Sequence, residues 1–344
     1  MSNQERLNKE AEIETSEVDS RAEVFSEAEP EERHEVKKES PEEVRREIEK
    51  LGEEIYSAEK ELPEKQESPE SRAQKIEEYQ KKYLPDYLRD KKGFVAKAIT
   101  GLWTRMSGKC EKEGNENLPE KGPFIVICNH FGGGEPESLL KVFKNVDLHF
   151  AVAKEIWWKS SPIARWFLKK FGTIPMEESL SNLTEEQKEE AFKNQGKQGQ
   201  TVFRRIIDRE KQGGVAMNTE FMRQAVALLS RGDAVGIFPE GLWLNPEGPM
   251  KLREKQEMKK AYGGLELVAS LYQKLTGEEL PIIPTAFIED RKTGKKKVVA
   301  GEPIILSKNN TELSDTDWAM THVAKMLPEE QRGYYRDKTK NIEK

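Results

Sequence analysis

Residues 123–136 have the sequence Pro-Phe-Ile-Val-Ile-Cys-Asn-His-Phe-Gly-Gly-Gly-Glu-Pro, and this stretch indicates both the fold class and a candidate site. Its short, β-branched apolar run predicts a buried strand. The three glycines then turn the chain, and Pro136 suits the first position of a helix. The turn carries an imidazole, His130, and a carboxylate, Glu135. A carboxylate that accepts the hydrogen of one imidazole nitrogen leaves the other nitrogen free to act as a base.

Beyond this stretch, apolar patterns of the strand type alternate with patterns of the helix type. Helical spacing of apolar residues covers 222–229 and 265–275. The further predicted strands cover 235–238, 281–288, 298–300 and 303–306. Strands separated by helices indicate an α/β domain with a mixed, largely parallel sheet flanked by helices.

Charged residues are concentrated before this domain. Residues 1–39 are rich in Glu, Ser, Arg and Lys and have almost no large apolar side chains, so we expect a disordered acidic tail. A charged helical segment is expected at 40–90, with a seam of apolar residues at 40–62 and a second helix at 71–83. The seam is compatible with association with a partner or a second copy, but it spans fewer than three to four heptads, so a solvated helical hairpin lying on the domain is the favoured interpretation.

Composition limits the class of this 344-residue chain. Apolar and charged residues each make up 35%, and the net charge of −6 gives no reason to expect a nucleic-acid partner. Two cysteines, Cys110 and Cys128, cannot build a disulfide framework, so a reducing, cytoplasmic setting is expected. The cysteines and four histidines lack ligand spacing, so neither a metal nor a cofactor is expected.

The domain itself is expected at 91–344, with a polar insertion at 178–215 that predicts a helical excursion or a lid. Its first helix, near 94–106, has an apolar stripe flanked by basic residues, which suits either a membrane interface or the core of the domain. Aromatic and basic side chains are interleaved in 154–159 and 165–170, which favours an amphiphilic surface. No apolar run is long enough to span a bilayer, so we expect a peripheral position at the inner face of the membrane.

Three more motifs follow the first one in order. Phe238-Pro-Glu-Gly241 ends a predicted central strand with a carboxylate on a Pro/Gly turn, where open α/β sheets bind ligands. It is preceded by Phe171-Gly-Thr-Ile-Pro175 and followed by Leu280-Pro-Ile-Ile-Pro284. Each motif is short, and their common order carries more weight than any one of them.

With these four motifs in this order, the chain resembles the glycerolipid acyltransferases typified by 1-acylglycerol-3-phosphate (lysophosphatidate) acyltransferase. The resemblance covers residues 93–338 and implies the α/β fold of that family. It also implies an acyl thioester donor, either acyl-CoA or acyl carrier protein, a lysolipid acceptor and a role in phospholipid biosynthesis. The catalytic residues it implies are His130 and Glu135. The substrate-binding residues it implies are Asn129, Lys154, Gly172, Thr173, Phe238, Pro239, Glu240, Gly241 and Pro284.

The implied reaction begins with an acceptor hydroxyl, which is a poor nucleophile until a base takes its proton. His130 is expected to take that proton, and Glu135 to orient the ring and stabilise the imidazolium. The acyl group then passes directly to the acceptor. The backbone amides of 132–134 are candidate donors to the developing oxyanion.

Three departures from the family pattern bear on the acceptor. The acid of the first motif, normally aspartate, is Glu135. The arginines that the family places after the second and third motifs are replaced by Glu177-Glu178 and Leu242-Trp243, although a guanidinium suits a phosphate better than an indole does. Candidate replacement cations are Lys154, Lys251, Arg253, Lys259, Lys260, Arg204 and Arg205. An acceptor without a phosphate, or a non-catalytic homologue that binds a lipid or a partner, therefore stays open.

Overall fold

The structure is a computed structural model. It describes residues 68–89, 94–106, 108–131, 134–154, 161–176, 184–193, 200, 203–204, 206–208, 219–241, 256–290 and 292–341. The predicted tail at 1–39 and the apolar seam at 40–62 lie outside these residues. All described residues belong to one compact unit, Lys65–Lys344.

Seven strands of the described chain form one mixed sheet. In chain order they are β1 (Cys110–Glu113), β2 (Phe124–Cys128), β3 (Leu148–Ala153), β4 (Ile174–Met176), β5 (Ala234–Ile237), β6 (Ile282–Asp290) and β7 (Lys295–Ala300). Their order in the sheet is β1-β7-β6-β2-β5-β3-β4. The five strands from β6 to β4 run parallel, whereas β7 is antiparallel to β6 and β1 is parallel to β7. The predicted fold class, a mixed and largely parallel α/β sheet flanked by helices, is confirmed.

Helices cover both faces of this sheet. They are α1 (Pro69–Tyr83), α2 (Asp86–Arg89), α3 (Phe94–Met106), α4 (Glu135–Val142), α5 (Pro162–Phe171), α6 (Glu185–Lys193), α7 (Thr219–Ser230), α8 (Leu265–Thr276) and α9 (Asp315–Met326). Successive strand residues point to opposite faces, so the buried strands β2, β5 and β6 supply apolar side chains to two cores. One core lies under α4, and the other lies under α7, α8 and α9.

Some strands differ from the sequence prediction for a common reason. The edge strand β1 is mostly charged, and the edge strand β4 has only three residues, so no apolar alternation marks either of them. The expected strand at 303–306 is reduced to an isolated bridge between Ile304 and Ile282. Conversely, β7 begins at Lys295, before the predicted 298–300, because it pairs with β6 along six residues in spite of its three lysines.

The compact unit begins before the predicted boundary at residue 91. Helix α1 starts at Pro69 because Ser68 caps it, with the Ser68 hydroxyl accepting from the backbone N–H of Ser71. The helix packs on α7 and α8, and two side chains tie it there. Arg72 donates to the carbonyl of Thr276, and Gln80 donates to the hydroxyl of Ser230. The last part of the predicted 40–90 segment therefore belongs to the domain.

The predicted insertion at 178–215 is described in part. It contains helix α6, and the side chains of Phe203 and Ile206 are buried, so it carries apolar packing residues despite its polar composition. Within the described residues, no helix is long and apolar enough to cross a membrane.

Candidate active site

The carboxyl ends of the central parallel strands bring several predicted site residues to one edge of the sheet. His130 follows β2, Phe238 follows β5 and Lys154 follows β3. Because β2, β5 and β3 are adjacent and parallel, these residues lie at the same edge. That edge is where open α/β sheets bind ligands.

His130 and Glu135 meet across the turn that joins β2 to α4. Gly134 has a left-handed backbone with φ 86° and places Glu135 at the start of the helix. The Glu135 Oε1 atom lies 3.5 Å from His130 Nδ1 and accepts the backbone N–H of Phe131 at 2.6 Å. The Glu135 side chain is fully buried, and so is His130 Nδ1, although 25% of the His130 side chain is exposed. The exposed part of the ring is therefore on the side away from Nδ1.

The surroundings of Glu135 keep its carboxyl ionised. Burial by itself raises the pKa of this group. The adjacent His130 ring and the backbone N–H groups of Phe131 and of Glu135 itself favour the charged form more strongly, so the pKa lies below its ordinary value. A buried carboxylate is thus held beside Nδ1 at neutral pH.

This arrangement suits His130 to proton transfer through its other nitrogen. A carboxylate beside Nδ1 favours the tautomer with hydrogen on Nδ1, which leaves Nε2 with a free lone pair. The separation of 3.5 Å between Nδ1 and Oε1 is at the long limit of a hydrogen bond. Such contacts in catalytic pairs commonly shorten only when substrate is bound.

Glu240 holds the backbone of the turn that joins β2 to α4 from inside the protein. Its side chain is fully buried, and Oε1 accepts the backbone N–H of His130 at 3.0 Å. Its Oε2 atom accepts the backbone N–H of Lys259 at 2.8 Å. Sequence analysis assigned Glu240 to substrate binding. The structure instead gives it a positioning role, because both oxygens are used within the protein and none is exposed.

The segment that contains Lys259 is itself anchored by the C-terminal part of the chain. The backbone N–H of Ala261 donates to the hydroxyl of Tyr335, which in turn donates to Asp317 of α9. The backbone N–H of Tyr262 donates to the carbonyl of Pro239, so Pro239 also lies inside this network. No short-range sequence pattern connects Tyr335 to the turn that joins β2 to α4.

Asn129 links two strands beneath the histidine. Its amide nitrogen donates to the carbonyl of Phe287 at 2.9 Å, and its amide oxygen accepts the N–H of Phe287 at 2.8 Å. The side chain is fully buried. Asn129 was predicted to bind substrate, but its amide pairs with β6 and has no exposed atom, so it positions His130.

Phe238 forms an aromatic wall beside the histidine. Its ring stacks on the His130 ring with centroids 4.7 Å apart, and Phe150 continues the stack at 6.0 Å. Phe238 is only partly buried, which is compatible with its predicted contact to substrate. Gly241 closes the turn with φ 58°, and a side chain there would strike the ring of Tyr262.

Three other predicted substrate-binding residues lie away from the histidine. Gly172 and Thr173 enter β4 at its amino end, whereas His130 follows the carboxyl end of β2. Their groups are used locally: the Gly172 carbonyl contacts His149 Nδ1, and the Thr173 hydroxyl bonds within α5. Pro284 is buried within β6, level with Ile127 of β2. Their predicted contact with substrate stays a prediction.

The candidate cations are only partly placed. Glu177, Glu178, Leu242, Trp243, Lys251, Arg253, Arg205 and the glycines 132 and 133 lie outside the described residues. Lys154 stands at the site edge, and Lys260 lies over the ring of Tyr334. Lys296, whose ammonium lies against Gly134, was not predicted as a site residue. The three lysines at 295–297 lack the apolar pattern of a strand, so the sequence did not place Lys296 on one. Among described residues, no group of His, Cys, Asp or Glu has the arrangement of a metal site.

Comparisons with known proteins point to one family. The chain is 26% identical over 214 residues to the 1-acyl-sn-glycerol-3-phosphate acyltransferase of Bacillus subtilis (strain 168), which covers 61% of this chain and 81% of the relative. It is similar to the crystal structure of the 1-acyl-sn-glycerophosphate (LPA) acyltransferase PlsC of Thermotoga maritima, with 13% identity, coverage of 85% and 88%, and a TM-score of 0.40. The family model described as Acyltransferase matches residues 109–288, more than half of the chain. The chain therefore belongs to the Acyltransferase family, as its motifs predicted.

Proposed function

We propose that this protein transfers a fatty acyl group from an acyl thioester to the hydroxyl of 1-acylglycerol-3-phosphate, in phospholipid biosynthesis. The observation that carries the proposal is the His130–Glu135 pair, with Nδ1 buried against a carboxylate while 25% of the His130 side chain is exposed. The acceptor is carried over from the name of the Bacillus subtilis relative. The thioester is that of acyl-CoA or of acyl carrier protein.

The reaction follows from what these side chains can do. Nε2 of His130 takes the proton of the acceptor hydroxyl while the oxygen of that hydroxyl attacks the carbonyl carbon of the thioester. Glu135 stabilises the imidazolium that forms, as a carboxylate held ionised beside Nδ1. The tetrahedral intermediate then expels the thiolate, and the proton held by Nε2 passes to it. An ester and a free thiol are the products.

We place the enzyme at the inner face of the membrane, in peripheral contact with the lipid. Four large apolar side chains support this placement by their exposure: Leu102 62%, Ile163 70%, Trp166 45% and Phe167 38%. Leu102 lies on α3 and the others on α5, two helices that contact each other. Lys169 and Lys170 end α5, and basic residues beside exposed aromatics suit an anionic lipid surface.

The test is thiol release by the purified full-length protein, with acyl-CoA and acyl carrier protein thioesters and a panel of acceptors. The panel contains 1-acylglycerol-3-phosphate, a neutral monoacylglycerol and an amino-containing lysolipid. His130→Ala should lower kcat by about 10²- to 10⁴-fold, the usual contribution of a general base. His322→Ala, on α9, serves as the matched histidine control and should retain activity.

Glu135→Asp tests the unusual acid directly. The shorter side chain cannot hold both the Phe131 N–H and a contact with His130, so the rate should fall. A faster Asp variant would show that the longer acid is a handicap. A His130→Ala variant with wild-type turnover would refute the assignment of His130 as the base. If none of the acceptors supported thiol release by the wild type, a protein that only binds lipid would be favoured.

A further inference from the structure

We infer that Lys296 of β7 binds the phosphate of the acceptor and thereby selects phosphorylated lysolipids, an inference that rests on the proposed acyl transfer. Lys296 lies outside the motifs of the family and outside the cations that sequence analysis put forward. Three features of the structure support it: the face and edge on which Lys296 lies, the direction of its ammonium group, and the spacing of charges in the substrates.

The first feature is the shared face. Side chains alternate along a strand, and residues 124, 126, 148, 150, 234, 283, 287 and 298 all contribute to the core under α4. The same alternation places His130, Phe238 and Lys154 on that face at the carboxyl edge. Because β7 is antiparallel to β6, its beginning lies at this edge, and Lys296 shares the parity of Val298.

Lys296 and Lys154 therefore lie on either side of His130. The sheet order places β7 two strands from β2 on one side, and β3 two strands from β2 on the other. Two strand spacings amount to about 10 Å. An anion beside His130 therefore has a cation within reach from β7.

The second feature is where the ammonium points. Lys296 is directly opposite Glu289 in the β6–β7 ladder, and a plain cross-strand ion pair would bring the two groups together. Instead Nζ is 3.8 Å from the Glu289 carboxylate, well beyond the roughly 2.7–2.9 Å of a close charge-assisted hydrogen bond. The nitrogen lies against Gly134, so close that a Cβ on residue 134 would clash with it.

A cation at this point faces a group that is also electropositive. Gly134 caps the amino end of α4, where the backbone N–H groups carry partial positive charge. An ammonium beside a helix amino end is unfavourable unless an anion shares the space. The Glu289 carboxylate, 3.8 Å from Nζ, is one such anion, and a phosphate would be a second. The fully buried carboxylate of Glu135 is already used by His130 and the Phe131 N–H. With 22% of its side chain exposed, Lys296 remains accessible to an anionic ligand.

The third feature decides which anion of the reaction fits. In either donor, the phosphates are separated from the thioester by the whole pantetheine arm. In 1-acylglycerol-3-phosphate, the phosphate is on the carbon next to the one that bears the reacting hydroxyl. Lys296 contacts the same turn that carries His130, so its reach matches the acceptor phosphate and not the phosphates of the donor.

The experiment compares Lys296→Gln with Lys295→Gln in the full-length protein. Lys295 is the neighbouring exposed lysine of β7 and faces the other side of the sheet. Thiol release is measured with 1-acylglycerol-3-phosphate and with a neutral monoacylglycerol, varying acceptor and donor separately. Lys296→Gln should raise the KM for the phosphorylated acceptor by about ten- to a hundredfold, the loss expected for a hydrogen bond to a charged group. The KM values for donor and neutral acceptor should stay unchanged, as should all values for Lys295→Gln.

Several results would overturn the inference. Unchanged KM values with lowered stability in Lys296→Gln would make Lys296 only a cross-strand partner of Glu289. A raised KM for the donor would assign the lysine to the other substrate. Thiol release by the wild type with neutral acceptors alone would remove the phosphate from the reaction while leaving acyl transfer intact.

A binding measurement separates this inference from the proposed function. Phosphorus NMR titration with glycerol 3-phosphate reports binding even if the wild type released no thiol with any acceptor. Weaker binding in Lys296→Gln, with Lys295→Gln as the control, would support the lysine as a phosphate ligand. Equal binding in both variants would refute it.

Discussion

Glu240→Gln removes one of the two carboxylate oxygens that hold the catalytic turn in place. In the native protein these oxygens accept the N–H groups of His130 and Lys259, and the side chain has no exposure to solvent. The glutamine side chain has nearly the same shape but only one acceptor oxygen. Its NH₂ group must therefore face one of the two backbone N–H groups, donor against donor.

The expected loss of stability follows from the backbone N–H group that is left without an acceptor. A buried N–H without an acceptor costs about 1 to 3 kcal/mol. With a urea m-value of about 3 kcal/mol/M, the midpoint of unfolding should fall by about 0.3 to 1 M. If the N–H of His130 is the donor that is left unpaired, its ring shifts relative to Glu135, and a displacement near 1 Å lowers the rate by about 10²-fold.

The assay is urea unfolding followed by tryptophan fluorescence, together with kcat and KM for thiol release. Glu116→Gln, at an exposed position, controls for the loss of one negative charge. We expect a lower midpoint, a lower kcat and a nearly unchanged KM in Glu240→Gln only. A raised KM for acceptor with normal kcat and stability would mean that Glu240 touches substrate, and would refute the positioning role.

Three further predictions concern other parts of the molecule. Asn129→Ala leaves the buried N–H and carbonyl of Phe287 without partners. Each unpaired buried group costs about 1 to 3 kcal/mol, so the free energy of unfolding in urea should fall by about 2 to 6 kcal/mol. An unchanged midpoint would contradict the paired geometry. Asp233, buried beside His149 and bonded to Arg231, has a pKa below its ordinary 3.8, because these partners outweigh the opposing effect of burial. Its stabilisation is complete above that ordinary value and is lost as pH falls through the folded pKa, so Asp233→Asn should flatten the acid limb of stability against pH; an unaltered acid limb would exclude this origin. Trp166→Ser should lower the fraction of protein that co-sediments with anionic vesicles, while the fraction bound to neutral vesicles stays low. Equal co-sedimentation of the wild type and the variant would argue against α5 as the lipid contact.

The spacing of apolar residues was sufficient to predict the elements that pack into the core of the domain. Strand β2 and helix α8 have strong apolar periodicity, and the structure places them within one or two residues of the predicted bounds. The edge strands β1 and β4 escaped prediction because β1 is mostly charged and β4, with three residues, is too short to show apolar alternation. The first three residues of β7 escaped prediction because they are lysines, which show no apolar alternation, although they pair with β6 and two of them also pair with β1.

The roles of individual site residues depended more on tertiary contacts. Among the residues carried over from the family, His130 and Glu135 meet as expected because they are five positions apart on one turn. Glu240 and Asn129 were predicted to bind substrate, yet each is buried and bonded to backbone groups inside the protein. A motif shows that a residue type is needed at a position, but it does not show whether the side chain points to substrate or to the fold.

The amino-acid sequence was enough to indicate the family and the candidate reacting groups: an imidazole and a carboxylate on a strand-to-helix turn, in the motif order of an acyltransferase. These features are local, so residue types and short spacing suffice to predict them. The surroundings of that pair became known only from the folded chain. Glu240 reaches His130 across 110 residues and Asn129 reaches Phe287 across 158, and Lys296 comes to Gly134 only through the pairing of β7 with β6. Contacts between residues so far apart depend on sheet order and register, which no short stretch of sequence contains.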